Sequence, residues 1–399
     1  MTTTKQPTTH SFTALSPNTT LTNEQQRTLN QIKQFTQNSL QQSEHAVFVL
    51  VGEAGTGKSV ILNRFFAEMA PQMPQAAFLV NHPELLKVYR QIAGVTPHLL
   101  KKYFQRPTSF INQRQRLEDP VVDLTVIDEA HLLLSKPDHY NNYYGDNQLA
   151  DIIQLSRVTV LVFDPAQVLR TKSYWTTARL KEVIGQQPQQ WLTLTKQFRL
   201  QAPEQLLTWF NQLVTGAEIK PLQLPTTNYD FRIFTDAQQL RQVINTKNQA
   251  GGLARVTATS GYPSTLDGKK HYIDEGDFHM PWDQYNFSAI PWAEQPQTLD
   301  EVGSIYTVQG FDLNYIGIII GPPYYLTDQH QLGIDPSRST DSEIFKKRSD
   351  LVGAEFEASK ITLLRNSLNV LLKRGVKGTY LYAHDPKLRD WLVKMVTTK

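Results

Sequence analysis

The chain has 399 residues, 40% of them apolar and 19% charged, and its 40 Lys and Arg against 37 Asp and Glu give a formal charge of +3. That length suits two or three domains with proper cores, and the composition is that of a folded protein rather than a disordered one. No cysteine occurs, which excludes a disulfide framework and a thiolate metal site and agrees with a cytoplasmic setting. No run of about 18 apolar residues offers a membrane span.

Residues 1–20 are Thr-rich without an apolar core, so they are expected to form a flexible tail and not a secretion signal. An Asn/Gln-rich helix is expected from Leu21 to about Ser43. The run HAVFVLVG that follows has the continuous apolar character of a buried parallel strand. A Gly-rich turn and a helix from about Lys58 to Ala70 come next, then strands at Ala76–Val80, Leu124–Ile127, Thr159–Phe163 and Trp191–Thr195. Strands alternating with helical segments predict an α/β fold with a parallel sheet.

GAEIKPLQLPTTN, after Thr215, reads as a connector. Beyond it, strands are expected at Phe231–Phe234, Gly252–Thr257, Ser304–Thr307, Tyr315–Ile320 and Thr379–Tyr382. A long helix is expected over Ser342–Lys373, with an apolar stripe through Ile344, Leu351, Phe356, Ile361, Leu364, Leu368 and Leu372 that reads as core packing.

The strongest local signal is Gly52-Glu-Ala-Gly55-Thr-Gly57-Lys58-Ser59, which satisfies G-x-x-x-x-G-K-[ST] between a strand and a helix. Glycines let backbone N–H groups wrap phosphates, and the helix N-terminus adds positive potential. Lys58 is expected to reach the β and γ phosphates of ATP, and the Ser59 hydroxyl to bind Mg2+. Leu124-Thr-Val-Ile-Asp128-Glu129-Ala-His ends an apolar strand in two carboxylates. Asp128 suits the metal side, and Glu129 suits a base that polarises water, which favours hydrolysis. Asp164-Pro-Ala-Gln167 follows a third apolar strand. Its polar pair sits where α/β sheets bind ligands, so Asp164 and Gln167 are candidate sensors of the γ-phosphate; an Asp-Pro turn is the alternative.

This order of motifs resembles a superfamily 1 helicase, and more narrowly the Schlafen group 3-like DNA/RNA helicase domain family of bacterial and phage proteins, from about Leu21 to Tyr382. Leu21-Thr-Asn-Glu-Gln25 resembles the upstream glutamine motif, which implies that Gln25 reads the adenine edge. Thr195-Lys-Gln-Phe-Arg199 matches the family's Gln-Phe-Arg segment, which implies a γ-phosphate contact for Arg199. Phe278-His-Met-Pro-Trp282 resembles a segment specific to the family. Glu301-Val-Gly-Ser-Ile-Tyr-Thr-Val-Gln309-Gly310 resembles its EVG…T-Q-G element, placing Gln309, Gly310 and nearby Asp312 at the nucleotide. Leu371-Leu-Lys-Arg374-Gly-Val-Lys-Gly matches the last motif, which makes Arg374 an arginine finger. The chain departs from the family in carrying Lys373 where Thr is usual and Asp312, one methylene shorter, where Glu is usual.

The resemblance implies two tandem RecA-like P-loop domains with parallel sheets and an ATP cleft between them, over 21–215 and 216–399 after the tail. It implies ATP and Mg2+ as cofactors and single-stranded DNA or RNA as partner; one complete site per chain needs no second subunit. Candidate track residues are the interleaved cations and aromatics from Lys101 to Arg116, for which a solvated basic face is the simpler account. Asn81, His82, Trp282, Trp292 and Pro322 to Tyr325 are further candidates, each with a turn or loop anchor as its plain alternative. Three functions are compatible with these motifs: a translocase or helicase, a nucleotide-gated binding module, and, against the Glu129 base and the paired arginines, a phosphotransferase.

Overall fold

A computed structural model describes residues 15–42, 45–198, 200–223, 228–264, 269–284, 286 and 290–397. Residues 1–14 of the expected tail, and Arg199, lie outside them. The chain forms two compact units, one of residues 1–168 with 172–198 and one of 169–171 with 199–399.

The first unit opens with α1 (Asn23–Ser39), whose cap is a reciprocal box: Thr22 accepts from the Gln25 backbone and the Gln25 side chain accepts from Thr22 N–H. Strands β1 (Ala46–Gly52), β2 (Ala76–Val80), β3 (Phe104–Gln105), β4 (Val122–Asp128), β5 (Ser156–Phe163) and β6 (Gln189–Leu194) alternate with helices. The helices are α2 (Lys58–Met69), α3 (Pro83–Val95), α4 (Pro107–Arg114), α5 (Gln148–Gln154) and α6 (Thr177–Ile184). The six strands form one parallel sheet in the order β3-β2-β4-β5-β1-β6. Its central strands are buried along nearly their whole length, which is why they read as unbroken apolar runs. Phe48, Phe65, Phe66, Phe78, Tyr89 and Phe104 anchor the core beside it, each side chain contributing on the order of 2 kcal/mol by burial.

The second unit contains α7 (Glu204–Thr215), β7 (Leu222–Gln223), β8 (Asp230–Ile233), α8 (Ala237–Gly251) and β9 (Ala254–Ala258). A hairpin of β10 (His271–Glu275) and β11 (Phe278–Trp282) follows, then the single turn α9 (Ile305–Val308) and β12 (Leu313–Ile320). Next are β13 (Tyr324–Leu326), β14 (Leu332–Ile334), α10 (Gly353–Leu372), β15 (Gly375–Ala383), α11 (Pro386–Met395) and β16 (Val396–Thr397). Its main sheet is also parallel, ordered β8-β15-β12-β9.

Two expectations are corrected. Ser304–Thr307 is not a strand: Val302 and Gly303 make single bridges to Trp282 and Thr257, and the chain then turns into α9. There Thr307 Oγ1 donates to Ser304 O, and Gly310, at φ 85°, closes the turn in a conformation that glycine adopts most readily. The β-branched residues Ile305, Thr307 and Val308 gave the segment its strand-like look. The helix expected from Ser342 begins only at Gly353. Ile344 sits in a 3-10 turn capped by Asp341, and the Arg348 guanidinium bonds Thr171 O and the Asp350 carboxylate. Those bonds hold residues 346–352 out of helical geometry.

Residues Leu169–Thr171 pack within the second unit although the first claims the chain on both sides. Arg170 lies over the Tyr306 ring at 4.5 Å, and Thr171 Oγ1 donates to Glu343 O at 2.9 Å. Among the described residues no helix is long and apolar enough to cross a membrane.

Candidate active site

In the first sheet β4, β5 and β1 lie side by side, and the C-terminal end of each delivers polar groups. The turn after β1 carries Gly52, Gly55 and Gly57 into α2. Gly57 has φ 83°, and a Cβ placed on it would run into the Gln25 amide. Phe198 N–H donates to Gly55 O at 2.9 Å, so the segment leading to Arg199 braces the loop. Lys58 Nζ donates to Gly52 O and Glu53 O, both at 2.7 Å, and stands 4.0 Å from Asp164 Oδ2. A lysine resting on its own loop carbonyls is already aimed into the cradle that the loop encloses.

At the end of β4 the Ser59 hydroxyl donates to Asp128 Oδ1 at 3.1 Å, although β5 separates the two parent strands. Tyr89, from α3, donates to Asp128 Oδ2 at 2.6 Å. Burial, then the neighbouring Glu129 charge, push the Asp128 carboxyl up to about 6, against the pull of Tyr89, Ser59 and Lys58. Burial and the Asp128 charge raise the Tyr89 phenol far above its ordinary range, so it stays a donor. Two hard oxygens, one on a carboxylate crowded by a second carboxylate, are a donor set that fits Mg2+.

Glu129 takes a left-handed backbone, φ 54° and ψ 50°, which costs a non-glycine residue about 1 kcal/mol or more. His131 Nε2 lies 3.3 Å from its carboxylate. At the end of β5, Asp164 Oδ1 accepts from Ala166 N–H at 3.0 Å and Oδ2 from the Gln167 amide at 2.8 Å. Gln167 thus orients the carboxylate that faces Lys58. The first unit therefore brings together Gly52, Gly55, Gly57, Lys58, Ser59, Asp128, Glu129, Asp164 and Gln167, with Gln25 alongside. The Gln25 Oε1 is engaged with Thr22 N–H at 3.0 Å.

In the second unit Gln309 and Gly310 end α9 just before β12, and Arg374 stands between α10 and β15. Arg374 is 2% exposed, and its Nη1 lies 3.8 Å from Asp312 Oδ1. Arg374 backbone N–H caps Leu371 O, and its carbonyl accepts from Leu313 N–H. Gln309, Gly310, Asp312 and Arg374 thus share the N-terminal ends of two neighbouring strands. Arg199 lies outside the described residues.

The track candidates divide. Phe104 is in the core, and Tyr103 packs edge-on against Phe66. Arg114 is taken up by Gln75 Oε1 and the Asp119, Pro120 and Val121 carbonyls, whereas Lys101, Lys102, Arg106 and Arg116 are exposed. Trp282, at the end of β11, and Trp292 are both buried, bonded to Pro263 O and Glu301 respectively. Asn81 donates to Leu132 O, and His82 caps α3. Sequence reasoning missed Tyr89, for which a tyrosine inside an amphipathic helix gave no signal.

A phosphate loop beside a strand-end Asp-Glu pair, on a parallel sheet, is the architecture of a P-loop NTPase. The chain belongs to the family described as Schlafen group 3, DNA/RNA helicase domain, which matches residues 45–385. It is 37% identical over 417 residues to the uncharacterized protein YPL245W of Saccharomyces cerevisiae, covering 94% of this chain and 91% of that protein, a relative outside bacteria and phages. Among solved structures it is similar to the Pif1 helicase of Candida albicans, at 13% identity and TM-score 0.39, covering 91% of this chain and 95% of that one. It is also similar to the AMPPCP-bound DnaA of Aquifex aeolicus, at 14% identity and TM-score 0.27, covering 52% and 57%. At these scores the two structural likenesses carry no weight for mechanism.

Proposed function

We propose that the protein is an ATP-driven translocase of single-stranded nucleic acid, of superfamily 1 helicase type, built as two tandem RecA-like domains. The observation that carries this reading is the convergence of Lys58, Ser59, Asp128, Glu129 and the Asp164–Gln167 pair at three adjacent strand ends. Lys58 exchanges its loop carbonyls for the β and γ phosphates, while the backbone N–H groups of Gly55 and Gly57 line the cradle. Ser59 and Asp128 would hold Mg2+, which would supply charge neutralisation on the phosphates. Glu129 accepts the proton of the attacking water, and its left-handed backbone fixes where that carboxylate points.

Arg374 and Arg199 neutralise charge on the transferred phosphoryl group, and their engagement on closure couples turnover to movement along the strand. Gln25 contacts the adenine, while Gln309, Gly310 and Asp312 contribute from the second unit. The test is steady-state ATP hydrolysis with and without single-stranded DNA and RNA. Stimulation by one polymer, abolished in Lys58→Ala, supports the motor; turnover at background with both polymers sinks it.

One observation favours a second reading, a nucleotide-gated binding module without unwinding. Between β9 and β12 the described residues contain a two-stranded hairpin, short 3-10 turns and the single turn α9, modest material for prising a duplex apart. ATP-dependent strand binding without duplex separation distinguishes it.

A further inference from the structure

Nine residues beyond the Asp128–Glu129 pair the chain makes a turn, Asp138-His-Tyr-Asn-Asn-Tyr-Tyr144, that holds aromatic rings out in solvent. Tyr140 is 93% exposed and Tyr144 68%, and the His139 ring stacks on Tyr144 with centroids 5.1 Å apart and planes 26° apart. A few isolated exposed tyrosines need no explanation, but three exposed rings in six residues do, because the turn is rigid.

Asp138 and Tyr143 exchange backbone hydrogen bonds of 2.9 and 3.1 Å. Asn142, between them, takes φ 57°, a left-handed conformation that asparagine tolerates well. The Tyr143 ring is buried and its hydroxyl donates to Asp151 Oδ2 at 2.7 Å. Asp138 Oδ2 accepts from Asn141 Nδ2 at 2.7 Å and Lys172 Nζ at 3.1 Å. The backbone that carries the rings is therefore already ordered, which lowers the entropy cost of a stacking contact.

A second observation says what stacks on them. Asn112, in α4, donates to Asn142 O at 2.9 Å, which joins the turn to the basic segment of the same unit. In that segment Arg106 opens α4, Lys101 and Lys102 lie in the turn before it, and Arg116 lies just past its end, all four exposed. The turn itself offers rings and side-chain amides and no aliphatic side chain. Rings for bases and, at the ends of the helix that bonds the turn, cations for phosphates are the two components of sequence-tolerant single-strand binding.

We propose that His139, Tyr140 and Tyr144 form a stacking platform for unpaired nucleobases, with Arg106 and its neighbouring lysines on the backbone. The proposal rests on the nucleic-acid reading above and names the surface of the first unit that grips the strand. Because every base has a π-face, the platform accepts deoxyribose and ribose strands alike.

The test measures the affinity of full-length protein for a homothymidine oligonucleotide, its ribouridine counterpart and an abasic strand of equal length. Tyr140→Ala/Tyr144→Ala is expected to weaken binding to both base-bearing strands by about 30-fold, two rings at the lower end of base-stacking strength. Tyr140→Phe/Tyr144→Phe restores it, since the ring is what matters. The abasic strand binds the wild type as weakly as the alanine variant binds bases, and the substitutions do not weaken it further. ATP turnover without nucleic acid is unchanged. Wild-type affinity in the alanine variant overturns the platform alone and points to a protein ligand for the turn. A wild-type protein that binds none of the strands overturns the nucleic-acid reading, and the platform with it.

Discussion

The two units use opposite ends of the same kind of sheet. In the first, the candidate residues collect at the C-terminal ends of β1, β5 and β4, beside the N-terminus of α2, where parallel sheets bind ligands. In the second, Gln309, Asp312 and Arg374 collect at the N-terminal ends of β12 and β15. The C-terminal edge there is filled from within: Glu275, from the β10–β11 hairpin, accepts from the Tyr262 and Tyr382 hydroxyls and meets His384 Nδ1 at 2.6 Å. On the proposed function, one architecture is a phosphate cradle in one unit and a mount for an arginine in the other. Function here follows the groups placed at strand ends and not the fold.

That contrast is broken most directly at Arg374. If the second unit only completes the charge balance of the reaction, Arg374→Ala lowers ATP turnover by about 10³-fold and leaves nucleotide affinity near the wild-type value. Lys58→Ala, in the cradle, loses affinity as well as turnover. Fluorescent-nucleotide titration alongside steady-state hydrolysis separates the two. Equal loss of affinity in both variants would show that the units do not divide the work this way.

The next largest effect is on stability. Glu275→Ala leaves two buried phenols and a half-buried imidazole without their acceptor, a loss of about 3 kcal/mol. Urea unfolding followed by tryptophan fluorescence reads this, helped by the buried Trp282, whose ring packs edge-on against Tyr262. ATP turnover per folded molecule stays unchanged. A folded Glu275→Ala protein with collapsed turnover would make the C-terminal edge of the second sheet functional, and the contrast would fall.

Legibility in the sequence followed the range of the interactions involved. Strand β2 was read to the residue, and β1, β4 and β5 to within a few, because burial on both faces leaves unbroken apolar runs. The phosphate loop was legible because its glycines, lysine and serine are contiguous. Tyr89 was not, since nothing in α3 announces that its hydroxyl meets a carboxylate 39 positions away. The hairpin His271–Trp282 was seen only as a family segment: its pleat buries Ile273, Glu275, Phe278, Met280 and Trp282, and a charged residue on the inner face obscures the alternation. Ser304–Thr307 misled because β-branched residues suit a strand, while the two residues before it had already made the bridges to neighbouring strands.

Tyr89 supplies a sharper probe of the first unit. Its hydroxyl bonds the Asp128 carboxylate, so on the proposed function Tyr89→Phe acts through the metal side. Loss of an outer partner of this kind lowers metal affinity by about 10-fold. The expected result is a higher Mg2+ requirement for hydrolysis, with turnover restored at saturating Mg2+. A fall in turnover that Mg2+ does not rescue would mean that the phenol acts on the reaction itself.

The smallest expected effect lies at Asp312, the position where the family usually carries Glu. Asp312 Oδ1 stands 3.8 Å from Arg374 Nη1, within ion-pair range but beyond a hydrogen bond. One more methylene would let the carboxylate close that gap or reach a ribose hydroxyl, and the two alternatives differ in what they change. A new bond to the nucleotide lowers KM for ATP by about 2- to 10-fold at constant turnover, the value of one net hydrogen bond. A tighter hold on Arg374 lowers turnover instead, because an arginine bonded to its own unit must be released before it can neutralise charge elsewhere. Asp312→Glu kinetics therefore tell whether this carboxylate belongs to the nucleotide or to the arginine, and unchanged KM and turnover would remove Asp312 from the site altogether.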